Sequence, residues 1–401
     1  MSTASSTPPV GEDVPENPEV SPVEQQTPSS GPGDAGLQPV KLLIGVVGIA
    51  LTVWFLGNLF LAFAWYPGWF LNSKILMAAL GLVAGVGGAA VLFWFLNQAI
   101  EALPRRLEHG VMPYAFLLPG FSLIGLMLLY PTIQTVHYSF ANRDSTRYAE
   151  PLWANFQSLF ESPAFWSAMF NNLLWIAIVP AVTVALGVAV AVLADKLSAR
   201  GEKWSKSFIF LPMAISFVAA STIWLTTIYG YRPPGEPQIA VLNAFAVNVL
   251  GMEPQSWLDI STGRLNSLLL MVILIWLQTG FAMVLLSSAI KNVPEDTIEA
   301  ARIDGASELQ IFWQVIIPQI WGTIITVFIT VLILVMKVFD IVYVLTNGRN
   351  NTDVIANMFF RELFTNQNAG RATALIVVLL VAVIPILIYQ VRDFRKQEAM
   401  R

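Results

Sequence analysis

The chain has 401 residues, of which 56% are hydrophobic and 12% charged, and its mean hydropathy is +0.64. A soluble domain carries about 25% charged residues, so this composition identifies a bilayer as the main solvent. With no cysteine, 2 histidines and a net charge of −4, the sequence excludes disulfide scaffolds, cysteine catalysis and His-rich or thiolate metal sites, and argues against a nucleic-acid partner.

Residues 1–40 carry Pro8, Pro9, Pro15, Pro18, Pro22, Pro28 and Pro32, acids scattered from Glu12 to Asp34, and no Lys or Arg. Such a stretch cannot bury enough apolar surface to offset its ordering entropy, so it is expected to be a disordered acidic tail. It lacks a basic run leading into a short apolar core and does not read as a signal peptide.

A hydrocarbon core about 30 Å thick needs roughly 20 apolar helical residues. Eight stretches reach that length: 42–65, 74–97, 113–134, 170–193, 207–228, 266–290, 319–345 and 371–391. None alternates as the strands of a membrane barrel do. The expected fold is therefore an all-α membrane protein with eight transmembrane helices, two of them (41–110) preceding a core of 111–401. Gly81, Gly85, Gly87 and Gly88 lie in mid-span and read as a packing strip rather than a nucleotide loop. Pro119, Pro131, Pro180 and Pro385 fall in or near spans, where neighbouring helices must satisfy the freed carbonyls.

Charge asymmetry sets the expected orientation. With the amino terminus inside, the inner segments hold Lys41, Arg105, Arg106, the group from Lys196 to Lys206, Lys291, Arg302 and the cluster from Arg392 to Arg401. The outer segments hold fewer, more scattered cations. Both termini and the loop at 291–318 are then cytoplasmic.

That loop is polar, helical and broken by glycine. Pro294 at a first helical position, followed by Glu295 and Asp296, starts a helix that ends at Gly305. Ser307 and Gln310 then form a capping box for a second helix, whose apolar side carries Leu309, Ile311, Phe312, Val315 and Ile316. The product is a helix–Gly–helix elbow at the membrane surface, with small Ala300, Ala301 and Ala306 permitting close approach.

Glu299-Ala300-Ala301, Gly305 and, nine residues further on, Val315-Ile316-Ile317-Pro318 follow the pattern E-A-A-x-x-x-G-x₉-I-x-L-P. The segment thereby resembles the signature of binding-protein-dependent ABC importer permeases. The resemblance implies the type I permease architecture, in which this elbow is the coupling helix that docks on the ATP-hydrolysing subunit. Glu299, Ala300, Ala301, Asp304 and Gly305 are the coupling candidates. Lys337-Val338-Phe339-Asp340-Ile341-Val342-Tyr343 with Thr346-Asn347-Gly348 is similar to an element of the first permease subunit of maltose-type carbohydrate importers, most closely the α-glucoside branch. Further implications are a multi-pass protein of the bacterial plasma (inner) membrane, two ABC ATPase subunits, a second paralogous permease and an extracytoplasmic sugar-binding protein. ATP and Mg would act on the ATPase partner, with no cofactor bound by this chain and no chemistry of its own. The absence of G-x-x-x-x-G-K-[ST] agrees with a separate ATPase.

Lys337 and Asp340 form the one clear charged pair deep in an apolar run, and such groups are paired or face a cavity. On a continuous helix their spacing puts them on one face, with Tyr343 following. They are read either as an ion pair locking the helix or as sugar ligands, with Phe339 or Tyr343 as the flat aromatic surface a sugar needs. Trp224, Trp276 and Gln278 are weaker candidates, read first as packing. The alternative function is an ion-coupled secondary transporter using Lys337 and Asp340 as a relay, which requires inverted repeats that the sequence does not display. A scaffold anchoring partners through the acidic tail and an intramembrane enzyme are the remaining readings; no span carries catalytic spacing for the latter.

Overall fold

Long apolar runs punctuated by Ser, Pro and Gly produce helices almost throughout the computed structural model, which describes residues 38–399. Residues 1–37 of the expected acidic tail lie outside them. Among the described residues there is no strand, only an isolated antiparallel bridge between Ala141 and Tyr148. The chain divides into two compact units, Met1–Leu128 and Leu129–Arg401.

The first unit holds α1 (Pro39–Trp65), α2 (Lys74–Glu101) and α3 (Arg105–Ile124). Pro39 opens α1, and the Ser73 hydroxyl caps α2 by accepting from the Leu76 amide at 3.3 Å. α1 and α2 pack as a hairpin through close backbone approach. A side chain at Gly45 would collide with Ala99, at Gly48 with the Phe95 ring, and at Gly88 with Leu56. The expected strip on α2 is thus only partly used: a β-carbon at Gly81 would meet Phe60 and Phe63 at 3.6 Å, while one at Gly85 or Gly87 would meet nothing within 4 Å among the described residues.

The second unit begins with α4 (Tyr130–Tyr138), α5 (Ala154–Phe160), α6 (Pro163–Asp195), α7 (Ala199–Phe210), α8 (Phe217–Thr227) and α9 (Val241–Asn248). It continues with α10 (Leu265–Lys291), α11 (Glu295–Ile303), α12 (Glu308–Ile311) and α13 (Ile317–Gln319). The last helices are α14 (Trp321–Met336), α15 (Asp340–Leu345), α16 (Ile355–Phe360) and α17 (Ala369–Ala399). The central element is α10, apolar on most of its faces as a largely buried helix must be. Of the apolar window in its segment Thr262–Lys291, 61% is buried, against 39% for α6, its main neighbour. Trp175 and Val179 of α6, Leu270, Met271 and Leu274 of α10, and Val331 and Val335 of α14 share one core.

Six helices among the described residues are long and apolar enough to cross a membrane, and eight if two bent pairs each count as one span. The bent pairs correct two expected continuous spans. The stretch expected at 207–228 turns through 104° between Ala199–Ala214 and Phe217–Thr227. Pro212 ends the first part in a tight turn, and Ser216 caps the second by accepting from the Ala219 amide at 3.2 Å. The stretch expected at 319–345 bends by 70° ahead of Trp321, then stops at Met336 and restarts at Asp340. An acid in a first turn is favoured by the helix dipole, and buried Val338 fills the core between the two pieces.

At the end of this unit remote from 291–318, buried amides replace regular backbone pairing. Asn171 Nδ2 donates to the carbonyls of Asn351 (2.7 Å) and Asp353 (2.8 Å). Its Oδ1 accepts from the Arg264 guanidinium at 3.0 Å, which also reaches Ser167 Oγ at 3.0 Å. Asn266 Nδ2 holds the Asn350 carbonyl at 2.7 Å. Asn350 and Asn351 adopt positive φ, so the loop follows this scaffold rather than a strand or helix. Asn171→Ala, which takes the side-chain donor from the Asp353 carbonyl and one acceptor from Arg264 while Arg264 still holds the Asn351 carbonyl, is expected to cost about 1–3 kcal/mol. Thermal unfolding in detergent checks it; an unchanged Tm contradicts it.

Candidate functional site

The elbow forms where the sequence puts it. Val293, only 9% exposed, anchors its start. Pro294 occupies the cap position rather than the first helical position, and α11 begins at Glu295 with Asp296 in its first turn. Its end is closed by amides of Gly305 and Ala306 donating to the carbonyls of Arg302 and Ala301, each at 3.0 Å. Gly305 has φ +83°, a left-handed position in which a β-carbon is disfavoured. The capping box is complete: Gln310 Oε1 accepts from the Ser307 amide at 2.8 Å, and Ser307 Oγ accepts from the Gln310 amide. Arg302 Nε pairs with Glu308 Oε1 at 3.0 Å across the bend. That hydrogen bond, then the carboxylate charge, raises the Arg302 pKa above its ordinary value, so the clamp stays ionised.

Glu299, Ala300, Asp304 and Gly305 are exposed together on one surface, and Ala301 is half-buried. Among them stands Ile303, 86% exposed at the end of α11, which the sequence reading did not single out. An isolated apolar side chain held out from a polar surface is the form of an interface anchor. Its signal was present: an isoleucine between Arg302 and Asp304, off the apolar stripe. On the second helix Ile311 is buried as expected, but Leu309 is 69% exposed rather than turned inward. A π-turn at Phe312–Ile316 offsets the helical register here, and the segment forms one wall of an apolar groove of about 880 Å³ against Val188 and Val192 of α6.

The two helix breaks meet at a second site. Lys337, Phe339 and Asp340 line a cavity of about 180 Å³ with Phe217 and Leu274. Asp340, Ser216, Phe217 and Gln278 line an adjoining space of about 460 Å³. Lys337 and Asp340 do not share a helical face, because the break falls between them, and they form no ion pair among the described residues. The locked-helix reading is therefore replaced by two separate polar groups on a cavity wall. Tyr343 lies off that wall; its ring stacks on Phe339, with centroids 5.1 Å apart. Trp224 and Trp276 pack edge to face at 5.6 Å beside the core, as the packing reading expects. Gln278 gains importance: it is 4% exposed, faces the cavity, and its Oε1 has no hydrogen-bond partner among the described residues. An unsatisfied buried acceptor is costly unless a ligand or water meets it.

Residues 184–397 match the family described as the binding-protein-dependent transport system inner membrane component. The chain is 40% identical over 343 residues to the alpha-glucoside transport system permease protein AglF of Rhizobium meliloti, covering 81% of this chain and 98% of that protein. It is 44% identical over 286 residues to the osmoprotective compounds uptake permease protein GgtC of Synechocystis, covering 71% and 100%. Its fold is similar to that of a chain in a crystal structure of a bacterial alginate ABC transporter in complex with an alginate pentasaccharide-bound periplasmic protein. That likeness has a TM-score of 0.59 at 21% identity and covers 71% of this chain and 94% of that one.

The chain belongs to the family of binding-protein-dependent transport system inner membrane components. It is thus a multi-pass inner-membrane protein, the permease of an ABC importer that works with an ATPase and a substrate-binding protein. The ion-coupled alternative is overturned, since the relatives and structural neighbours are ABC transporter permeases.

The left-handed turn makes a test of the elbow itself. Gly305→Ala is expected to cost about 1–2 kcal/mol locally, the penalty of a β-carbon in that conformation. Hydrogen exchange across residues 295–311 should rise several-fold, while Gly322→Ala, in open space within α14, leaves it unchanged.

Proposed function

We propose that this permease imports a sugar, an α-glucoside or related disaccharide, which it passes through the cavity between the two helix breaks. The observation that carries the reading is the constellation of Gln278, Ser216, Lys337 and Asp340, with Phe217 and Phe339, on adjoining cavity walls. Sugars present hydroxyls that both donate and accept, together with an apolar ring face. A carboxylate and an unpaired amide oxygen accept, an ammonium donates, and the phenyl rings give apolar cover. The substrates named for AglF and GgtC, an alpha-glucoside and osmoprotective compounds, support this class.

In this reading the chain has eight spans, each bent pair counting once, and both termini are cytoplasmic with the elbow between them. A core permease of 111–401 is preceded by the two helices of 41–110. Elbow residues Glu299, Ala300, Ala301, Asp304 and Gly305, with Ile303 as anchor, dock on one of a pair of ATPase subunits. A second, paralogous permease completes the pore, and a sugar-binding protein delivers cargo outside. ATP and Mg act on the ATPase, and this chain carries out no chemistry. Approach of the two ATPases moves the elbows, and the helices switch the cavity between outward-facing and inward-facing states.

The purified complex in proteoliposomes, screened over α-glucosides for binding-protein-dependent ATPase stimulation and uptake, tests this reading. Uptake that survives loss of the ATPase and collapses with the membrane potential overturns it. Gln278→Leu and Asp340→Asn are each expected to lower uptake roughly tenfold, the effect of one lost hydrogen bond to a charged or buried group, while ATPase stimulation persists. Ile303→Asp is expected to leave the permease folded and to cut ATPase co-purification about tenfold or more, as removal of an interface anchor does.

A further inference from the structure

At the elbow end of the second unit, α6, α7 and α10 converge on an ionic cluster that the transport reading does not use. Lys206 Nζ of α7 lies 3.2 Å from Asp195 Oδ1 of α6 and 2.5 Å from Glu202 Oε1, and it donates to Ser287 Oγ of α10. Ser287 Oγ in turn donates to Asp195 Oδ1 at 3.0 Å. Lys291, the last residue of α10, pairs with Glu202 and stands 3.7 Å from Asp195. Two cations and two carboxylates thus neutralise one another across three helices.

Isolated surface ion pairs contribute little. This one is a shared network whose Lys206, Asp195 and Glu202 side chains are only 18–20% exposed, so screening by water is reduced. Its position matters more than its strength. Lys291 is joined to α11 by a tight turn in which the Asn292 and Val293 amides bond to Ala289 and Ile290 at 3.2 and 3.1 Å. Val293 is buried and Pro294 is conformationally fixed, so the elbow has no slack against α10. In the other direction α10 carries Gln278 to the cavity, and α7 leads through Leu211–Ala214 to Ser216 at the same cavity. Gly280 of α10 lets the Ile209 carbonyl and Phe210 of α7 approach where a side chain would collide.

We propose that Lys291, Glu202, Lys206 and Asp195 are positioning residues that lock α7 to α6 and α10, so that elbow displacement reaches both Ser216 and Gln278 as one rigid movement. The proposal rests on the reading of the elbow as the ATPase docking segment. Without the lock, α10 follows the elbow and α7 lags, and the cavity walls cease to move together.

The test uses the assembled complex in proteoliposomes and reads sugar uptake per ATP hydrolysed. Glu202→Lys and Lys291→Glu should each lower that ratio about tenfold, a size within the usual range of coupling between sites, with ATPase stimulation retained. Lys291→Met should lower it as well, and Lys291→Arg should stay near wild type. Reversals that lower Tm or yield but leave uptake per ATP unchanged overturn the lock. Should a single reversal fail to assemble, Lys291→Met against Lys291→Arg decides, equal ratios overturning it. A wild-type complex without ATP-driven uptake, or an Ile303→Asp variant that keeps its ATPase, removes the functional reading and the lock with it. Normal coupling in the wild type alongside unaffected reversals removes the lock alone.

Discussion

Backbone amides and carbonyls cannot face lipid unpaired, so a helix in a membrane can be interrupted only where protein or a water-filled cavity receives the freed groups. Everything distinctive in the second unit depends on α10 meeting that condition. Buried along most of its length, it supplies the wall against which α7–α8 and α14–α15 are broken. The breaks bring Ser216 of one and Lys337 and Asp340 of the other onto adjoining cavity walls, a polar lining among apolar spans.

The same helix links the two sites. Its remote end is held by Asn266 and the amide scaffold around Asn171 and Arg264, its middle carries Gln278, and its other end passes through a short turn into the elbow. A rod fixed at one end and driven at the other pivots, and what it displaces in between depends on which neighbours are tied to it. Gly187 lets α6 pack closely on Ala282, and Gly280 lets α7 pack closely at Phe210, where the proposed ionic lock keeps it in step with α10. Close-packed contacts of this kind hold discrete arrangements rather than deforming continuously, which is what a two-state transporter requires.

Much of this was legible in the sequence, and its limits have physical causes. The elbow was readable because it is made by local rules: a proline and acids at a helix start, a glycine at its end, a Ser–Gln box three residues apart. Each of these survives in the structure, with Pro294 displaced by one position. The two mid-span breaks were not read, since hydropathy averages over about 20 residues and cannot see a bend that keeps the same composition. Pro212 with Ser216 was a local signal for the first; for the second, Lys337 and Asp340 were noticed but assigned to an unbroken helix. Gln278 could not be ranked from sequence, because an unsatisfied oxygen is a property of its neighbours.

The separation of Lys337 from Asp340 also bears on the cargo. Were they paired, each would satisfy the other, and a ligand would have to break that pair to use either group, at the cost of leaving charges uncompensated. Held on different sides of a helix break, they are available one at a time, the ammonium as donor and the carboxylate as acceptor, with Gln278 Oε1 as a further acceptor. A relay for ions would need the two charges in contact, or ordered along a path. A neutral molecule with hydroxyls at several angles needs them apart. This separation supports the proposed reading of a polyhydroxylated cargo.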